Sequence, residues 1–168
     1  MQKVQKVVIA GGGTAGWIAA ATLSSQLGSL IDITLVESAE IGTVGVGEAT
    51  IPTHTAFHRL IGVDEQAFMR QTQATFKLGI EFSNWGNIGE RYFHSFGQIG
   101  RATWMGDFQH LWQHAKTLGW GGDLQDYCFE LQAAKAGKFA KDSKTNVNYA
   151  YHLDAGLYAS FLRDFSQQ

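Results

Sequence analysis

The most restrictive feature of this sequence lies between residues 7 and 37. Val7-Val8-Ile9-Ala10 is short, continuous and β-branched, the composition of a strand covered on both faces. It runs directly into Gly11-Gly12-Gly13-Thr14-Ala15-Gly16, where Gly11, Gly13 and Gly16 keep the spacing G-x-G-x-x-G. A helical stretch rich in small residues follows from Ala15 to Leu27, and then a second apolar run, Ile33-Thr34-Leu35-Val36, which ends in Glu37. Strand, glycines, helix, strand and acid in this order make up a dinucleotide-binding βαβ unit.

Each part has a physical task. Gly11 permits the tight turn out of the strand, Gly13 lets backbone N–H groups approach a diphosphate, and Gly16 lets the helix pack closely on the strands. The helix N-terminus, with Thr14 and Ala15, carries partial positive charge for the phosphates. Glu37 would accept hydrogen bonds from ribose hydroxyls and repel a 2′-phosphate, which disfavours NADP and leaves FAD and NAD. Gly11, Gly12, Gly13, Thr14, Ala15, Gly16 and Glu37 are therefore the expected cofactor contacts. The fold class that follows is α/β, a Rossmann-like FAD/NAD(P)-binding βαβ unit.

Composition narrows the classes further. The chain has 168 residues, with 13 Lys and Arg against 15 Asp and Glu, so no net basic field recommends a nucleic-acid partner or an acidic membrane surface. Its one cysteine, Cys128, excludes an internal disulfide framework. Residues 1–5 lack the order of a signal peptide, and the run from Val7 to Ala10 is too short to span a bilayer, so a cytoplasmic protein without a membrane anchor is expected.

Beyond the glycines, Val44-Gly45-Val46-Gly47-Glu48-Ala49-Thr50-Ile51-Pro52 reads as a constrained loop and not a strand, opening a helix around Ala56 to Ile61. Thr75 to Trp85 alternates as a half-buried strand, with Phe76, Leu78, Ile80 and Phe82 on one face and Thr75, Lys77, Gly79, Glu81 and Ser83 on the other. Spacing alone makes Lys77 a solvent-facing lysine, and Gly79 beside it leaves room for a ligand or a backbone. Tyr92-Phe93-His94-Ser95-Phe96 alternates as well, putting Tyr92, His94 and Phe96 together as core aromatics or as a stacking surface for a flat ligand. This segment is an antiparallel, aromatic-rich insertion.

Several features argue for structure over chemistry. His54 with His58, and His110 with His114, stand at i, i+4, yet no H-E-x-x-H pattern or nearby cysteine supports a metal, so none is expected. Cys128 has no adjacent base and reads as an inert buried thiol. Lys135, Lys138, Lys141 and Lys144 form a solvated charge run. Asp154 is a helix N-cap for an apolar stripe of Leu157, Tyr158, Phe161, Leu162 and Phe165. Such a helix is expected to cover a sheet, and no apolar β-branched run between Gly47 and Asp154 supplies a further parallel strand, so the sheet reads as incomplete.

Gly11 to Trp17, the loop Gly45 to Pro52, the stretch Thr75-Phe76-Lys77 through Asn84-Trp85, and Tyr151-His152-Leu153-Asp154-Ala155 together resemble the flavin-dependent halogenases of the tryptophan halogenase family. The matches fall in family order and reach from residue 7 to about residue 165. The resemblance implies that reduced FAD, oxygen and halide yield hypohalous acid, which travels through a tunnel to a lysine. That lysine hands an electrophilic chlorine or bromine to an electron-rich arene, tryptophan or indole in the best-known members. By this likeness Lys77 is catalytic, the Gly45 to Pro52 loop lies along the flavin with Gly47, Ala49 and Thr50 among the contacts, and His94 and Phe96 pack the substrate.

It further implies a separate flavin reductase as functional partner and is compatible with a homodimer. The family's halide site and arene-deprotonating carboxylate belong beyond residue 168, so residues 1–168 are expected to be the N-terminal part of an FAD-binding halogenase domain. An FAD-dependent monooxygenase and a non-catalytic dinucleotide-binding fragment are the alternatives; the first has no use for Lys77.

Overall fold

The computed structural model describes residues 3–42, 45, 47–141 and 146–167. In chain order the elements are β1 (Lys6–Ala10), α1 (Thr14–Leu27), β2 (Asp32–Val36), β3 (Gly47–Ala49), α2 (Thr53–Ile61), α3 (Glu65–Thr72), β4 (Thr75–Lys77), β5 (Gly79–Ser83), β6 (Arg91–Ser95), α4 (Phe108–Thr117), α5 (Phe129–Lys135), β7 (Ala150–Asp154) and α6 (Ala155–Ser166). They form two units, one built from residues up to Thr75 together with those from Tyr151 onward, the other from Phe76–Ala150. The chain passes between them within β4 and at the start of β7.

In the first unit β1 and β2 pair in parallel, from Lys6 opposite Asp32 to Ala10 opposite Val36, with α1 as the connection. This is the βαβ order expected, and among the described residues the parallel sheet has these two strands alone. α6 begins where Asp154 Oδ1 accepts the Leu157 N–H at 2.8 Å, the N-cap read from the sequence. Its stripe buries Tyr158, Phe161 and Leu162 but packs on α1 and α3. The helix therefore covers helices where a sheet was expected. Small Ala20 and Ala21 on α1 and Ala159 on α6, all buried, permit that close approach.

The core beneath is aromatic. The Phe68 ring is fully buried and meets Tyr151 at 4.9 Å and Tyr158 at 5.6 Å, both edge to face. His54 and His58 belong to this cluster, with ring centroids 4.3 Å apart. His58 Nε2 lies 2.9 Å from the Tyr158 hydroxyl. The pair is core, and among the described residues no group of three or more metal-ligating side chains exists.

One reading of the sequence is overturned here. Gly47–Ala49 is a strand, β3, antiparallel to β7, with Gly47 opposite Asp154 and Ala49 opposite His152. Thr50 continues the join, since its N–H donates to the Tyr151 carbonyl at 2.9 Å and its hydroxyl accepts the Tyr151 N–H at 2.9 Å. Loop-like glycines pair as a strand because the partner's ladder, about a hundred residues later, supplies the hydrogen bonds that local sequence does not reveal. Val44 and Val46 of that motif lie outside the described residues.

In the second unit β5 and β6 pair antiparallel, from Gly79 opposite Ser95 to Ser83 opposite Arg91. Phe82 stacks on Tyr92 across the ladder at 4.9 Å and 12°. The continuous strand expected from Thr75 is interrupted at Leu78, between β4 and β5. Lys135, Lys138 and Lys141 are exposed, as a solvated run should be, and Lys144 lies outside the described residues. Cys128 is a buried free thiol whose Sγ sits 2.9 Å from Ser95 Oγ. No described helix is long and apolar enough to cross a membrane.

Candidate active site

The first unit carries a cleft of about 910 Å³, within the ~300–1,000 Å³ of small-molecule and cofactor sites. The loop Gly11 to Ala15, Trp17 and Glu37 line one part of it, Gly45 and Glu48 another, and Gly156, Ala159, Ser160 and Arg163 of α6 a third. Gly11 has φ +122°, a conformation that side chains rarely adopt, and its N–H donates to the Val36 carbonyl at 2.9 Å. The strand-to-loop turn is thus tied to the end of β2, directly before Glu37.

Gly13 is the N-cap of α1 and offers no side chain to the first-turn amides. A Cβ on Gly13 would meet no protein atom, so the space in front of those amides is open. A Cβ on Gly16 would overlap the Gly11 carbonyl, and one on Gly12 would overlap the Glu37 side chain. These glycines make a cradle that admits an anionic ligand to backbone N–H groups, which is the donor set a dinucleotide diphosphate requires.

Glu37 is held from below. The Trp17 indole N–H donates to Glu37 Oε2 at 3.2 Å, and Trp17 itself is 7% exposed. A carboxylate has more acceptor positions than this one bond fills, so it can still receive ribose hydroxyls. Of the second predicted segment, Gly45 and Glu48 reach the cleft, while Gly47 and Ala49 pair with β7 and Thr50 binds the Tyr151 backbone.

The second unit carries the lysine. Lys77 is buried, at 8% exposure, against the solvent-facing position that its spacing suggests. The break at Leu78 is the reason: the alternation of β4 is not carried into β5, so Lys77 and Leu78 are buried in succession. Burial lowers the Lys77 pKa from its ordinary value, favouring the neutral amine. Its Nζ lies 5.4 Å from the centroid of the Phe96 ring, a cation–π distance. Phe96 is fixed there by its N–H, which donates to the Leu78 carbonyl at 3.0 Å.

His94 is exposed and Phe96 half-buried, and their rings meet edge to face at 6.5 Å and 77°. On β6 it is Phe93 and Ser95 that turn inward, so Tyr92 and His94 are not the core face. The room expected beside Gly79 is taken within the protein: a Cβ there would stand 2.6 Å from the His94 carbonyl oxygen and 2.8 Å from Cζ of Phe93. Lys77 thus neighbours Phe96, and His94 meets the Phe96 ring, within residues 77–96.

Two contributions went unread in the sequence. The α6 residues Gly156, Ala159, Ser160 and Arg163 stand at i, i+3, i+4 and i+7, a helical stripe whose small members were its only signal. The Trp17–Glu37 bond joins residues twenty apart and has no signal short of the folded βαβ unit.

The tryptophan halogenase family model matches residues 6–168. The chain is 37% identical to tryptophan 7-halogenase RebH of Lentzea aerocolonigenes, over 99% of this chain and 34% of that protein. Its fold matches Xcc4156, a flavin-dependent halogenase from Xanthomonas campestris, with a TM-score of 0.93 at 58% identity, covering 99% of this chain and 34% of that one. BrvH, a flavin-dependent halogenase from Brevundimonas sp. BAL3, matches with a TM-score of 0.86 at 38% identity, over 98% of this chain and 34% of that one. The chain spans about a third of the length of these relatives.

Proposed function

Because the chain belongs to the tryptophan halogenase family, we propose that it serves flavin-dependent halogenation, with FAD in the glycine cleft and Lys77 as the residue that passes halogen to the substrate. The observation that carries this reading is the burial of Lys77 beside Phe96, on a segment where spacing alone predicts an exposed lysine. Bound and reduced, FAD would supply, with oxygen, the two-electron oxidation that converts halide to hypohalous acid.

This chain's own residues account for cofactor binding and halogen delivery. The amides at the start of α1 receive the diphosphate, and Glu37, steadied by Trp17, takes the ribose hydroxyls. At the second site the lysine would react as its neutral amine, whose nitrogen lone pair is the nucleophile, and burial shifts the group towards that form by lowering its pKa. That nitrogen attacks the halogen of hypohalous acid; the N–X bond forms, the O–X bond breaks, and hydroxide leaves with the amine proton as water. The arene carbon then takes the halogen as X⁺ and loses its own proton, and the amine is restored. In an alternative use of the same group, the ammonium hydrogen-bonds the acid and polarises its O–X bond. His94 and Phe96 would hold a flat indole or tryptophan ring against Nζ.

A separate reductase supplying reduced flavin completes the reading. The test is to incubate the complete protein, with the part that carries the halide site and the carboxylate, with reduced FAD, oxygen, bromide and indole or tryptophan and to read the product mass. Replacement of one hydrogen by bromine supports the proposal; an added oxygen atom in its place indicates a monooxygenase.

A further inference from the structure

The glycine motif accounts for only part of the cleft. Its far wall is one stripe of α6, Gly156, Ala159, Ser160 and Arg163, two helical turns long and about 10 Å from end to end. The stripe begins near the Gly45 segment, where a Cβ on Gly45 would stand 3.5 Å from that of Ala155. Its first three members are small and leave the wall flat. Its last is an arginine.

The charges in this cleft are out of balance for the ligand proposed above. Among the described lining residues the ionisable groups are Glu37, Glu48 and Arg163, two carboxylates against one guanidinium. A dinucleotide brings a doubly negative diphosphate into that space. The α1 N-terminus offers about half a positive charge, and no basic side chain stands in its first turn. Arg163 is the one described lining residue able to supply a full positive charge.

Among the described residues Arg163 is held only by a weak ion pair. Its Nε lies 3.6 Å from Asp164 Oδ1, with the two side chains 46% and 65% exposed, and a pair so exposed is weakly held. A guanidinium leaving that pair retains five N–H donors, suited to two oxygens of a phosphate at once.

We propose that Arg163 is a binding residue for the cofactor's diphosphate, supplied by α6 from the wall opposite the glycine loop. This rests on the reading that the cleft takes FAD, and it adds a cationic contact that the glycine motif does not contain.

The test is equilibrium binding of FAD, ADP and adenosine to the complete protein and to its R163A, R163Q and R163K variants, with thermal unfolding as a check on folding. R163A and R163Q should weaken FAD and ADP by about 10- to 100-fold, the loss expected for a charge-assisted contact, and leave adenosine within about twofold. R163K should recover part of the loss, and the salt dependence of ADP binding should be shallower in R163A than in the unmodified chain. Unchanged FAD and ADP affinity in R163A overturns the proposal, as does an equal loss for adenosine, which would mark a structural role. Failure of the unmodified complete protein to bind either FAD or ADP would instead remove the cofactor reading on which the proposal stands.

Discussion

The Lys77 side-chain nitrogen lies 5.4 Å from the centroid of the Phe96 ring, and the backbone of the neighbouring residue, Leu78, holds Phe96 in place through a 3.0 Å hydrogen bond. A buried amine is thereby given an aromatic neighbour by the same strand break that buried it. Removing the ring tests whether it serves a flat substrate. Phe96→Ala and His94→Ala should each raise the KM for the arene by about 2- to 12-fold, the equivalent of ~0.5–1.5 kcal/mol of stacking. FAD affinity should be unchanged, as fluorescence titration would read. A loss of FAD binding in step with KM would mean that the rings support the fold.

Gly79 is a packing glycine. Gly79→Ala should destabilise the protein by about 1–3 kcal/mol, because the added methyl meets the Phe93 ring and the His94 carbonyl. Gly42→Ala, where a Cβ meets nothing, should change the denaturant midpoint little. Equal midpoints for the two variants would contradict the packing described.

Trp17→Phe keeps the buried ring and removes the N–H that holds Glu37. It should weaken FAD binding several-fold, in line with the roughly 0.5–1.5 kcal/mol net of a single hydrogen bond. The effect should vanish in a Glu37→Ala background, where no carboxylate remains to be positioned. Calorimetric titration of the four proteins of that cycle gives the coupling directly.

The buried histidines predict an acid sensitivity. Burial lowers the His54 pKa from 6.5 to about 4, and burial together with the neighbouring His54 charge lowers that of His58 to about 3, with Glu65 opposing. The folded state therefore binds fewer protons than the unfolded state at pH values between these and 6.5. The stability this provides is fully present above pH 6.5 and is lost as pH falls towards about 4, by at most about 1.4 kcal/mol per pH unit for each histidine. His54→Leu should cost most at pH 7 and progressively less towards pH 4.5 in urea denaturation. A cost independent of pH would mean that His54 does not titrate with unfolding.

Much of the first unit was legible because its signals are local. The glycine spacing, the β-branched runs and the Asp154 cap each act within a few residues, and the parallel pair, α1 and α6 form where they indicate. The features that were not legible depend on distant partners. Gly47–Ala49 is a strand only because β7 pairs with it, and α6 packs on α1 and α3, partners that lie far from it in the sequence. Lys77 is buried because the strand breaks at Leu78, a change of register that an alternating pattern cannot announce. The resemblance to the halogenases singled out that lysine where spacing gave it to solvent.

The central claim is that the buried Lys77 amine carries the halogen, and the most direct measurement is halogenation by Lys77→Ala in the complete protein alongside its affinity for FAD. The account predicts that brominated product is abolished while FAD binding and the unfolding midpoint stay close to those of the unmodified chain. Halogenation at the unmodified rate by Lys77→Ala, with free hypohalite scavenged, would contradict it.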